Sequence, residues 1–122
     1  KEFNKISSYR KKIFNIYLEK LINNKFIKII NQTGKFTHSA WLFTILTDKK
    51  DHLQKKLRLA KIESNQVHFR NDRYSIFKKF IKNKKFPNMN FVEKKYLVLP
   101  IHTKMTISDA HYVANTVNKI LS

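Results

Sequence analysis

Six consecutive residues, His68-Phe69-Arg70-Asn71-Asp72-Arg73, set an imidazole, two guanidiniums, an amide and a carboxylate side by side. Such a group can grip an anionic or sugar-bearing ligand, because guanidinium forks match phosphate while imidazole and amide hydrogen-bond to hydroxyls. Two of the chain's four arginines stand here, between an expected strand and an expected helix. Loops at strand ends are where binding residues collect. On this reading His68 and Arg70 face the ligand. The structural alternative is that Asp72 caps a helix from Tyr74 and pairs with Arg70 or Arg73; residue chemistry leaves both open.

Other chemistries find less support. The five histidines, His38, His52, His68, His102 and His111, show no metal-ligand spacing, and there is no cysteine to add a thiolate. No Gly-x-Ser-x-Gly elbow supports a serine nucleophile, and one glycine, Gly34, cannot make a phosphate-cradling loop. Phe77, Phe80 and Phe86 interleave with lysines as a nucleic-acid stacking platform would. Yet Phe77 and Phe80 lie at helical spacing, and the favoured reading turns them to the core with Lys78, Lys79 and Lys82 in water. Trp41 reads as core too, at a strand whose His38-Ser39 end could reach a cleft.

These residues need elements to position them. Apolar side chains at Phe3, Ile6, Tyr9, Ile13, Ile16 or Tyr17, and Leu21 step by three and four, which predicts a long amphipathic helix ended by Asn23-Asn24. Residues 25–30 and 39–47 read as two strands, the second central in its sheet, joined through a turn at Asn31-Gln32-Thr33-Gly34. A helix capped by Asp48 carries Leu53, Leu57 and Ala60. Residues 61–67 form a short extended stretch, and Tyr74 to Ile81 a short helix before a lysine-rich loop ending near Pro87. One helical turn over 91–95 precedes the strand Tyr96-Leu97-Val98-Leu99. Ser108 caps a last helix with the stripe Val113, Val117 and Ile120/Leu121. The sum is an α+β layer, a three- to four-stranded, mostly antiparallel sheet with helices on one face.

The 122 residues suit one small domain, and 42% hydrophobic content with 13% aromatics is too much for a disordered polyelectrolyte. No apolar run reaches the roughly 20 residues of a membrane span, and nothing near Lys1 reads as a signal peptide. The formal net charge is +18, carried by 22 lysines and only 4 arginines beside 14 isoleucines and 12 asparagines. That mixture suggests drift toward AT-rich codons and a lysine-wetted surface rather than dedicated phosphate readout, for which arginine is preferred.

Several segments, taken in order, resemble a known family. They are Ser39-Ala40-Trp41-Leu42-Phe43, then Asp48-Lys49-Lys50-Asp51-His52-Leu53, then Ile62-Glu63-Ser64 leading to Val67-His68-Phe69-Arg70-Asn71-Asp72. Tyr96-Leu97-Val98-Leu99-Pro100-Ile101-His102 and Ser108-Asp109-Ala110 complete the series. The succession is similar to the C-terminal small domain of the DegT/DnrJ/EryC1/StrS family, pyridoxal-phosphate-dependent aminotransferases of nucleotide sugars and fold-type I enzymes. Residues 1–24, with Arg10 and Tyr17, resemble the long helix by which those enzymes enter that domain, and 25–122 the domain itself. Where many members carry His-Tyr-x-Pro-x-His, this chain has Val67-His68-Phe69-Arg70-Asn71-Asp72, a subgroup variant.

The resemblance implies a set of expectations. The full-length protein would move an amino group, typically from glutamate, to a keto group on a nucleotide-linked sugar for amino-sugar or polysaccharide biosynthesis. It would be a cytoplasmic homodimer without membrane partners. The Schiff-base lysine, the acid facing the pyridine nitrogen and the phosphate-binding segment belong to a large domain upstream. This chain would therefore be a fragment, inactive alone and not itself binding pyridoxal phosphate, with none of its lysines catalytic. His68, Arg70 and Asn71 would line the substrate entrance, with His38 and Trp41 next. The rival expectation is a stand-alone basic α+β module that binds nucleic acid.

Overall fold

A computed structural model describes residues 2–30 and 38–122. Helix α1 (Glu2–Leu21) leads into β1 (Lys28–Ile29), β2 (Phe43–Leu46), α2 (Lys50–Leu59), two 3₁₀ turns (Asn71–Arg73 and Ser75–Phe77), α3 (Lys78–Ile81), α4 (Pro87–Glu93), β3 (Tyr96–Leu99) and α5 (Ile107–Ile120). The strands form an antiparallel sheet in the order β1-β2-β3, with Phe43 opposite Leu99 and Ile45 opposite Leu97. Strand periodicity puts these four side chains on one face. All four are buried, and Ile13 and Tyr17 of α1, Leu53 and Leu57 of α2, and Val113 and Val117 of α5 close over them. The α+β expectation therefore holds, with α1, α2 and α5 covering one face of the sheet.

Helices α1 and α5 make the broadest helix–helix contact. Ala110 and Ala114, both fully buried, let the backbones approach closely. Asn118 fastens the far end: its amide donates to the Lys20 carbonyl at 2.8 Å, satisfying one acceptor at the C-terminal end of α1, and its oxygen accepts from Asn24 at 2.8 Å. The Tyr17 hydroxyl donates to the Pro100 carbonyl at 2.8 Å, tying α1 to the end of β3. Burial raises the Tyr17 phenol above its ordinary value, with a smaller push from the Asp109 carboxylate.

Local chemistry trims the expected elements. The strand expected over 25–30 shrinks to two residues, because the Asn24 carboxamide accepts from the Phe26 amide at 3.0 Å and the Asn24 carbonyl accepts from Ile27. The strand expected over 39–47 starts only at Phe43. The Arg10 guanidinium takes the Ala40 carbonyl at 3.1 Å and the Trp41 carbonyl at 2.6 Å, and Ala40 adopts φ 52°, outside the extended range. The stretch 61–67 reduces to a single bridge between Asn65 and Val98.

Asp48 does not cap α2; it pairs with Lys95 at 2.6 Å, and the N-cap position is Lys49. The cap of α5 is Thr106, not Ser108, in a reciprocal box with Asp109. The turn expected at Asn31-Gln32-Thr33-Gly34 lies outside the described residues.

Candidate substrate-facing site

Residues 67–95 leave the core as an excursion between the Asn65 bridge and β3. None of its helical turns contributes a buried residue, so side-chain chemistry has to hold its shape. Arg70 does this. Its side chain is only 5% exposed, with Nε donating to Asp72 Oδ1 at 2.9 Å and Nη2 to Oδ2 at 2.6 Å. Nη1 donates to Asn90 at 2.5 Å and to Glu93 at 3.3 Å, and Glu93 also accepts from Arg73. The forked contact keeps the Arg70 guanidinium charged and draws the Asp72 carboxyl below its ordinary range, the hydrogen bond between them being the largest cause of both. Of the two readings left open by the sequence, the pairing of Asp72 with Arg70 is the one seen; Asp72 caps no helix.

The same excursion carries His68 to Trp41. Their ring centroids lie 5.8 Å apart with the planes tilted by 59°. Trp41 is 57% exposed, not the core residue its sequence context suggests. It precedes β2, and the Arg10 hold on its carbonyl keeps it out of the ladder. His38 lies at 4.3 Å from the Phe14 ring, and its Nδ1 accepts from the Ala40 amide at 3.0 Å.

His38 and Trp41 share a hollow of about 330 Å³, while His68, Arg70 and Asn71 border a cleft of about 730 Å³. The Trp41–His68 contact links the two groups. A further cleft of about 740 Å³ runs from Trp41 past Pro100 to His102, Lys104 and Tyr112. His102 and Tyr112 were not expected there. The signal was the Leu-Pro-x-His turn that follows β3.

Pyridoxal phosphate needs a lysine withdrawn from water and an acid opposite its ring nitrogen. Among the described residues the buried polar or charged side chains are Thr47, Ser64 and Arg70, and no lysine is among them. These residues do not by themselves fit the cofactor. Nor does any group of three histidine or acidic side chains among the described residues suit a metal ion.

The three-stranded antiparallel sheet with its covering helices is part of the fold-type I aminotransferase architecture. The chain matches the DegT/DnrJ/EryC1/StrS aminotransferase family over residues 1–118 and belongs to that family, as its C-terminal small domain. Its structure is similar to the aminotransferase TlmJ from Streptoalloteichus hindustanus at 16% identity and TM-score 0.88, over 98% of this chain and 32% of that one. For S. venezuelae DesV the values are 18%, 0.87, 95% and 32%. For Helicobacter pylori PseC, an aminotransferase involved in the biosynthesis of pseudoaminic acid, they are 17%, 0.83, 97% and 33%. The chain thus spans about a third of the length of these structures. No curated protein sequence matches it. The family is pyridoxal-phosphate-dependent.

Proposed function

We propose that the chain serves a pyridoxal-phosphate-dependent aminotransferase acting on a nucleotide-linked keto sugar, as the small domain that faces substrate. The observation that carries this reading, beside family membership, is the meeting of Trp41 and His68 from segments 27 residues apart. An exposed indole beside an imidazole offers an apolar face for a sugar ring or base and a hydrogen-bonding edge for hydroxyls. Asn71, exposed at the mouth of the neighbouring cleft, adds an amide. Arg70 and His38 act as positioning residues, the first holding the excursion and the second the turn before Trp41. A large domain, the same protein's or its partner's, supplies the cofactor, which acts as the electron sink for amino transfer.

The test has two arms. The chain alone, given pyridoxal phosphate, glutamate and a nucleotide-linked keto sugar, gives no transamination and no absorbance of lysine-bound cofactor. Joined to the cofactor-binding portion of a family member, it supports transamination. Trp41→Ala and His68→Ala each raise KM about tenfold, the scale of a lost ring contact, and leave kcat within about twofold. Transamination by the chain alone, or unchanged KM in both variants, overturns the reading.

A further inference from the structure

The direction in which Trp41 points is set from outside its own segment. A residue has only two soft backbone dihedrals, and the peptide planes flanking the Trp41 Cα carry the carbonyls of Ala40 and Trp41. One guanidinium takes both: Arg10 Nε donates to the Ala40 carbonyl at 3.1 Å and Nη2 to the Trp41 carbonyl at 2.6 Å. A rigid planar group bonded to both planes fixes them relative to each other, and with them the line along which the Trp41 side chain leaves the chain. The preceding peptide is held as well, because the Ala40 amide donates to His38 Nδ1 at 3.0 Å. Phe14, one turn beyond Arg10 on the same face of α1, completes the frame. Its ring lies 4.3 Å from that of His38 and 4.9 Å from that of Phe43, before and after Trp41 in sequence.

We propose that Arg10 is a positioning residue that fixes the indole of Trp41 against His68. The proposal deepens the reading of Trp41 and His68 as substrate-facing residues, on which its consequence for substrate rests. It adds a residue of α1, 31 positions from Trp41, that acts only through the indole. An exposed ring on a loosely held backbone loses freedom when a ligand settles on it, and that loss weakens binding. Here the backbone share of the ordering is already in place, and the ring meets His68 at 5.8 Å in the free chain. Attachment of α1 does not need these bonds. Ile13, Tyr17 and Leu21 are fully buried, the Tyr9 hydroxyl donates to the Met105 carbonyl and the Tyr17 hydroxyl to that of Pro100. Among the described residues no carboxylate pairs with Arg10, and both hydrogen bonds of its guanidinium go to the turn before β2.

The experiment follows Trp41, the sole tryptophan of the 122-residue chain, by time-resolved emission anisotropy. It also follows KM in the chain joined to the cofactor-binding portion of a family member. Arg10→Ala is expected to raise the rapidly depolarising share of the emission about twofold. Arg10→Lys falls between, since an ammonium on a flexible stem holds one carbonyl but not both planes. Tyr17→Phe, which weakens the seat of α1 elsewhere, leaves the anisotropy unchanged and so separates positioning from loss of stability. In the joined enzyme Arg10→Ala raises KM about fivefold with kcat within about twofold, and adds nothing to Trp41→Ala, because its effect passes through the indole. Unchanged anisotropy in Arg10→Ala, an equal change in Tyr17→Phe, or KM effects of Arg10→Ala and Trp41→Ala that multiply overturn the proposal. Unchanged KM in both Trp41→Ala and His68→Ala overturns the substrate-facing reading instead; the anisotropy of Arg10→Ala then supports or overturns the hold on the indole by itself.

Discussion

Arg70 closes a fork on Asp72, with Nε 2.9 Å from one carboxylate oxygen and Nη2 2.6 Å from the other. The remaining nitrogen reaches Asn90 and Glu93, 20 and 23 residues further along the chain. One guanidinium therefore ties both ends of an excursion that has no buried apolar side chain in its helical turns. Lysine cannot reproduce a planar fork with three separate acceptors. Arg70→Lys is expected to speed tryptic cleavage within residues 78–85 by about tenfold, because cleavage tracks the open population. Far-UV dichroism from the core helices should stay unchanged.

Acid should act on the same contact. Asp72 is held below its usual 3.8 by the hydrogen bond from Arg70, and Asp109 by hydrogen bonds from the Thr106 backbone and side chain. A carboxyl whose folded value is depressed adds stability that is present above the unfolded value and disappears as pH falls through the folded one. The thermal midpoint is expected to drop as pH falls below 3.8, and Arg70→Lys should flatten that limb. Tyr17 has the opposite sign. Its phenol is raised above 10.0, so the stability it adds is complete below pH 10 and is lost as pH rises further.

Two side chains fasten α1 and α5 by identifiable bonds. Tyr17→Phe removes the donor to the Pro100 carbonyl, 83 residues away, and should cost about 1–2 kcal/mol in urea unfolding. Thr106→Ala removes the cap of α5 and should cost about 1 kcal/mol. Ser108→Ala, at the position expected from sequence to be the cap, should be neutral within about 0.5 kcal/mol.

Trp41 is the only tryptophan, so its emission reports on the candidate site alone. Its exposure predicts a red-shifted spectrum, open to quenching by iodide. His68→Ala is expected to change intensity through loss of the neighbouring ring. A nucleotide-linked sugar should quench the wild-type chain and lose that effect in His68→Ala. A blue-shifted, iodide-resistant emission would place the indole in the interior and remove it from the site.

The core was legible because periodicity reports burial: the stripes through Ile13, Tyr17 and Leu21 and through Val113 and Val117 are those that pack. The excursion was less so. Phe77 and Phe80 stand at helical spacing, but α3 is four residues long and holds no buried residue, so spacing carried no information about what they face. Trp41 misled for a related reason. Its apolar neighbours suggest a continuous strand, and only the long-range bonds from Arg10 end the ladder at Phe43. Of the candidate site, residue identity found His68, Arg70 and Asn71 together, but it could not say whether the Arg70 guanidinium turns outward or inward. That depended on Asn90 and Glu93, whose approach no local pattern encodes.

Arg10 also has a mechanical consequence. It belongs to α1, yet its guanidinium grasps the carbonyls of Ala40 and Trp41 across a turn where Ala40 is held at φ 52°. A non-glycine residue in that region sits in a narrow well with little slack. The turn behaves as a stiff crank, and a rotation or slide of α1 must be delivered to the indole rather than absorbed on the way. Helix α1 is therefore geared to the exposed indole of Trp41.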